Sequence, residues 1–189
     1  LLDSKADLLI YGMGEGALLK LATFARKLRA AGELSGRSLG AAAERVNGIV
    51  RAVNAEEAAP YRNNPETIIL PSFEEISAEP FRLLQATLEL ERQVHQGVAF
   101  ALEPGAVRHI LLHPPAIGLS CAEMDFLYSL PFTRKRHPSY SAPVPAEEML
   151  RTSLTSHRGC GSGCAFCSLA LHQGRGISAR SRESILAEA

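Results

Sequence analysis

ADLLIYGMGEGALLKLATFARKLRAAG, residues 6–32, reads as a strand, a tight turn and a helix. Residues 6–11 (ADLLIY) form a short apolar run closed by Gly12 and Gly14, the pattern of a buried strand that ends in a turn. Behind the turn, Leu18, Leu21, Ala22, Ala25 and Leu28 keep one apolar face at helical spacing, Lys27 and Arg29 suit the last turn, and Gly32 suits the stop. Gly12-x-Gly14-x-Gly16 is a turn rather than a phosphate loop, because it lacks the GxGxxG spacing and the lysine and serine of a P-loop.

The same alternation continues outward. Residues 48–53 (GIVRAV), 67–70 (TIIL, ended by Pro71) and 107–112 (VRHILL, cut off by Pro114 and Pro115) are expected strands. Residues 80–96 carry Leu83, Ala86, Leu90 and Val94 at helical spacing, with Ser77 as the expected cap. A short helix is expected around 121–128, and residues 36–43 are expected to be loop. Strands alternating with helices over about the first 130 residues imply an α/β layer architecture of Rossmann-like type. Pro131, Pro138, Pro143 and Pro145 then mark a linker, which divides the chain into an α/β domain (1–130), a Pro-rich connection (131–145) and a second segment (146–189). In that segment a helical turn at 147–150, a strand at 151–156 (RTSLTS) and a helix at 181–188 capped by Ser181 are expected.

Composition narrows the partners. Twenty basic residues balance twenty acidic ones, so no global field draws the chain to nucleic acid or an anionic membrane. The short run Arg134, Lys135 and Arg136 reads as a solvated loop. No apolar run approaches the ~20 residues that span a bilayer, and the first residues lack the order of a signal peptide, which implies a cytoplasmic protein. His109 and His113 flank the expected strand at 107–112 and read as satisfied strand-end histidines. Glu123 and Asp125 fall on different faces of a short helix and make a poor acid/base pair.

Three of the four cysteines fall within eight positions, Cys160-x-x-x-Cys164-x-x-Cys167, and Cys121 stands apart. A secreted disulfide framework spreads its cysteines, so reduced, metal-binding thiols fit better. Randomly placed cysteines would give this spacing about two times in a thousand. Three thiolates on one loop can each hold one iron of a [4Fe–4S] cube and leave the fourth iron open. Gly159, Gly161 and Gly163 give the loop conformational room. The rival is structural zinc, which prefers four closed ligands, with His157, His172 and Cys121 as candidates for the fourth.

Cys-x-x-x-Cys-x-aromatic-Cys resembles the signature of the radical S-adenosylmethionine (SAM) superfamily. HRGCGSGCAFCSL (157–169), HQGRGI (172–177) and SRESI (181–185) are similar to its YgiQ-type subgroup, as are KADLLIYG (5–12), LPSFEEI (70–76), HPPA (113–116) and EMDFLYSLPF (123–132). The resemblance implies that Cys160, Cys164 and Cys167 ligate a [4Fe–4S] cluster and that SAM chelates the fourth iron, with Phe166 against its adenine. It implies reductive cleavage of SAM to a 5′-deoxyadenosyl radical that acts on an unknown substrate, with an electron donor such as flavodoxin or ferredoxin. Arg158, Arg175 and Arg180 are candidates for the SAM carboxylate or a substrate anion, although exposed or capping arginines are commoner. An RNA- or protein-modifying methylthiotransferase or methylase is the second enzyme reading, disfavoured by neutral charge and by the lack of an Asp-x-His-x-x-Gly cobalamin signature. A (β/α)₈ barrel takes ~200 residues or more. The chain is therefore expected to be an excerpt holding only the first βα unit of an incomplete barrel, inactive alone.

Overall fold

The structure, a computed structural model, describes residues 1–97 and 99–189, and His95 and Gln96 without their side chains. It divides into two compact units, one of residues 1–118 with 160–176 and the other of residues 119–159 with 177–189. The Pro-rich stretch 131–145 lies inside the second unit.

The first unit is built on a mixed five-stranded sheet of order β1-β2-β5-β4-β3: β1 (Leu8–Ile10), β2 (Ile49–Val53), β3 (Ile68–Ile69), β4 (Ala101–Glu103) and β5 (His109–Leu112). Three ladders are antiparallel, with Leu9 opposite Val50, Val50 opposite Leu112, and Leu102 opposite Leu111. Among the described residues only β3 and β4 run parallel, Ile68 opposite Ala101. The fold is thus α/β with a mixed, mainly antiparallel sheet, whereas a Rossmann-like sheet is mostly parallel. Its helices are α1 (Glu15–Ala30), α2 (Gly36–Ala42), α3 (Ala55–Arg62), α4 (Phe73–Ala78) and α5 (Phe81–Gln96).

Strand side chains alternate, so β2 sends Ile49, Arg51 and Val53 to one face and Val50 and Ala52 to the other. On the first face Ile49 packs with Ala17 and Leu21 of α1, Ala43 and Val46. Val53 packs with Ala58 of α3, Leu102 and Leu111. Ile49, Leu102 and Leu111 are fully buried, each contributing about 1.5–3 kcal/mol. Val50 and Leu112, on the second face, line a cavity with Leu90, Gln93 and Val94 of α5.

Among the described residues four helices start on a reciprocal cap. The Ser35, Asn54, Ser72 and Ser120 side chains each accept the N–H three residues on, and the side chain there bonds back. The first of these forms helix α2 where a loop is expected. Ser77 is no cap for α5; it lies inside α4, its Oγ donates to the Phe73 carbonyl at 2.8 Å, and Pro80 stands at the α5 N-cap.

The second unit contains α6 (Cys121–Tyr128), α7 (Pro145–Leu150), a two-stranded antiparallel ribbon of β6 (His157–Arg158) and β7 (Ser178–Ala179), and a terminal helix (Arg182–Glu188). The strand expected at 151–156 forms only beyond it. Ser153 donates its N–H to the Leu150 carbonyl at 3.2 Å and its hydroxyl to the Met149 carbonyl at 2.6 Å, so these residues continue the turn after α7. Among the described residues no helix is long and apolar enough to cross a membrane.

Candidate functional site

Residues 159–168 connect β6 to a short helix, α8 (Leu169–Gln173), whose placement is set by the first unit. Leu171 and His172 of α8, with Ser168 before it, line the apolar cavity on the second sheet face, about 290 Å³, beside Tyr11, Val50, Leu90 and Leu112. Gly12, at φ +76°, makes the other contact: a Cβ there would stand 3.3 Å from the His172 carbonyl oxygen. The turn after β1 is therefore a seat for α8 and not a phosphate loop.

Immediately after α8, Arg175 reaches back to α5 and pairs with Glu91, Nη2 to Oε1 at 2.7 Å. The same guanidinium lies over Gly163, where a Cβ would meet Nη2 at 2.9 Å. Gly163 thus leaves room for a clamp between the cysteine loop and α5. Of the three loop glycines only Gly159 has a positive φ, +92°.

Within the loop Cys164 and Cys167 share one turn, closed by the Cys167 N–H on the Cys164 carbonyl at 3.1 Å. Cys160 is half-buried, Cys164 and Cys167 are exposed, and none is in a disulfide. Phe166 is 92% exposed. The donor set, three soft thiolates, suits iron in a cluster. The loop carries the donors without gathering them, and among the described residues no group of three His, Cys, Asp or Glu side chains is placed to hold a metal. His157, His172 and Cys121 are likewise not assembled around the thiols as zinc ligands.

The arginines of the second unit are used locally. Arg180 is buried and lies over the Tyr128 ring, Cζ to centroid 4.4 Å. It donates to the Thr155 carbonyl at 3.0 Å and the Ser184 carbonyl at 2.9 Å, and pairs with Glu188. Arg158 donates Nε to the Tyr128 hydroxyl at 3.2 Å. Burial alone would raise the Tyr128 pKa, but hydrogen bonds from Thr155 and Arg158 and the charges of Arg158 and Arg180 outweigh it and bring it below the usual phenol value. Of the basic run, Arg134 pairs with Glu188, and Arg136 lies 3.8 Å from Glu147.

Glu123 and Asp125 are both spent on backbone. Glu123 bonds Ser120 in the α6 cap, which holds its carboxyl below the ordinary range; Asp125 is held low by the Ser181 side chain first and by the Ser181 N–H, accepted at 2.9 Å, second. His109 receives the Gly105 N–H at 3.1 Å, and His113 bonds the Val46 carbonyl at 3.0 Å, as satisfied histidines should. Sequence reasoning missed the Glu91–Arg175 clamp, because nothing local links residues 84 positions apart.

A mixed-sheet α/β unit with a three-cysteine loop seated on its second face is the class of protein that fold and site define. A family model for the radical SAM N-terminal region matches residues 1–153. The chain is 41% identical over its whole length to the UPF0313 protein GSU2873 of Geobacter sulfurreducens, covering 29% of that protein. It is 37% identical over its whole length to a UPF0313 protein of Methanosarcina acetivorans, covering 27% of it. Against the UPF0313 protein YgiQ of Salmonella typhimurium it is 39% identical over 73% of the chain and 19% of that protein. The chain belongs to the YgiQ-type (UPF0313) family of radical SAM proteins. It spans less than a third of the length of these relatives. No solved structure matches it.

Proposed function

We propose that this chain is part of a radical SAM enzyme in which Cys160, Cys164 and Cys167 each ligate one iron of a [4Fe–4S] cluster. The observation that carries the reading is the Cys-x-x-x-Cys-x-Phe-Cys spacing in a chain whose residues 1–153 match the radical SAM N-terminal family. Such a cluster, when bound with SAM on its fourth iron, supplies the one-electron cleavage of SAM to methionine and a 5′-deoxyadenosyl radical. The chain's own residues hold and orient. Phe166, exposed next to the third cysteine, is available to lie against the adenine, and the Arg175–Glu91 pair, which lies over Gly163, holds the loop to α5. A low-potential donor of the flavodoxin or ferredoxin kind supplies the electron, in the reducing cytoplasm where thiols stay unpaired. In this reading residues 1–130 are an accessory α/β domain. Residues 146–189 open the catalytic barrel, whose further strands fall in the greater length of the relatives and choose the substrate.

The test is anaerobic reconstitution of the whole protein with iron and sulfide. About four irons per chain, a brown absorbance, and an electron paramagnetic resonance spectrum of the reduced cluster that changes on adding SAM are expected, all lost in Cys164→Ala. Stoichiometric zinc without colour, or a cluster indifferent to SAM, would overturn the assignment.

A further inference from the structure

A second cavity, away from the cysteines in sequence and composed of different chemistry, lies beside β2. It occupies about 520 Å³ and is lined by Lys5, Arg37 of α2, Arg51 of β2 and Arg108 beside β5, with Asp7 and Glu57. Arg51 is the decisive member. It is only 8% exposed, because β2 sends it to the core face between Ile49 and Val53. Its contacts are neutral: Nε donates to the His113 ring at 3.3 Å, and the guanidinium also bonds the Tyr61 hydroxyl. Tyr61 in turn donates to Glu44 at 3.0 Å. Among the described residues Arg51 makes no ion pair, nor do Lys5, Arg37 or Arg108. Glu44 is the carboxylate within reach of this cluster, and it meets Arg51 only through the Tyr61 hydroxyl; a guanidinium taken out of water without a directly paired carboxylate costs several kcal/mol, and beside an open cavity an anion would offset that cost.

The charge balance narrows the ligand. Four cations face two carboxylates, a surplus of two positive charges that matches a phosphate monoester dianion better than a single carboxylate. Glu57 already accepts the Asn54 N–H through Oε2 at 2.9 Å, which leaves its other oxygen and the Asp7 carboxylate as acceptors for ligand hydroxyls. The volume falls in the usual 300–1,000 Å³ range for small-molecule sites. We propose that this cavity binds a small phosphate monoester bearing a hydroxylated body, such as a sugar phosphate or nucleoside monophosphate, with Arg51 and Arg37 on the phosphate. The site is independent of the cysteine loop and of any chemistry performed there.

The experiment is isothermal titration calorimetry on the whole protein with AMP, ribose 5-phosphate and inorganic phosphate, and adenosine and ribose as uncharged controls. At least one phosphate ester should bind with a sub-millimolar Kd while both controls do not. The rim variant R37Q/R108Q, whose arginines are exposed, should weaken binding at least tenfold with thermal stability unchanged. R51Q should abolish binding, with far-ultraviolet circular dichroism as the folding check. The same affinity in a Cys164→Ala background would separate this site from the cluster. Absence of binding by every phosphate, binding equal for adenosine and AMP, or affinity untouched in R37Q/R108Q would each overturn the proposal.

Discussion

Lowering the pH from 7 to 5 should cost the fold about 2 kcal/mol through one side chain, His113. The imidazole is fully buried and has a neutral tautomer that satisfies both nitrogens. Nδ1–H donates to the Val46 carbonyl at 3.0 Å, and Nε2 accepts from Arg51 Nε at 3.3 Å. A second proton would set N–H against N–H and a cation beside Arg51. Burial first, and the Arg51 charge second, lower the pKa from 6.5 to about 4, against the smaller opposing pulls of the Val46 bond and Glu44. Between those values the unfolded chain binds the proton and the native chain does not, so stability falls as pH falls. The loss is about 2 kcal/mol by pH 5 and about 3 by pH 4. Carboxylates held low, such as Asp125, add their own loss only below the ordinary carboxylate range. Glu103, whose carboxyl is pushed up by burial and by Glu74, acts in the opposite direction in the upper window. Urea denaturation followed by circular dichroism at pH 7, 6 and 5 measures the sum. His113→Asn, which keeps a donor for Val46 but cannot titrate, isolates the histidine. If the wild type and this variant lose stability in parallel from pH 7 to 5, the reasoning is wrong.

Arg180→Met should destabilise the second unit by about 3 kcal/mol, the low end for a broken buried pair because Arg134 still meets Glu188; adding Glu188→Gln should restore part of the loss in a denaturation cycle. Ser72→Ala should cost about 1 kcal/mol, since it removes the acceptor for the Glu75 N–H, and hydrogen exchange of the α4 amides should accelerate by a corresponding factor.

How much was legible follows the range of each interaction. The strands at 8–10, 49–53, 68–69 and 109–112 announce themselves through runs of Leu, Ile and Val bounded by Gly or Pro, because burial writes itself into neighbouring residues. β4 is three residues long and too short for a period to show. α2 was hidden by its glycines, although Ser35 and Ser38 cap each other, and Asn54-x-x-Glu57 and Ser72-x-x-Glu75 were readable signs of α3 and α4. Sheet order was not readable, because pairing of β2 with β5 is decided by contacts some sixty residues apart. At the site the three cysteines were evident from spacing alone. Their seat on Tyr11, Gly12 and α5 was not, and neither was Arg51, which sits in a strand as an ordinary alternating residue until its missing counter-charge is seen in three dimensions.

The return of residues 160–176 to the first unit has a practical consequence for anyone trimming the chain. A truncation ending at residue 153, where the family match stops, would delete Leu171 and its helix and strip cover from Val50, Leu90 and Leu112. Such a product would carry a sticky greasy strip down one side of its sheet. Poor solubility there would report the lost lid rather than an unstable sheet.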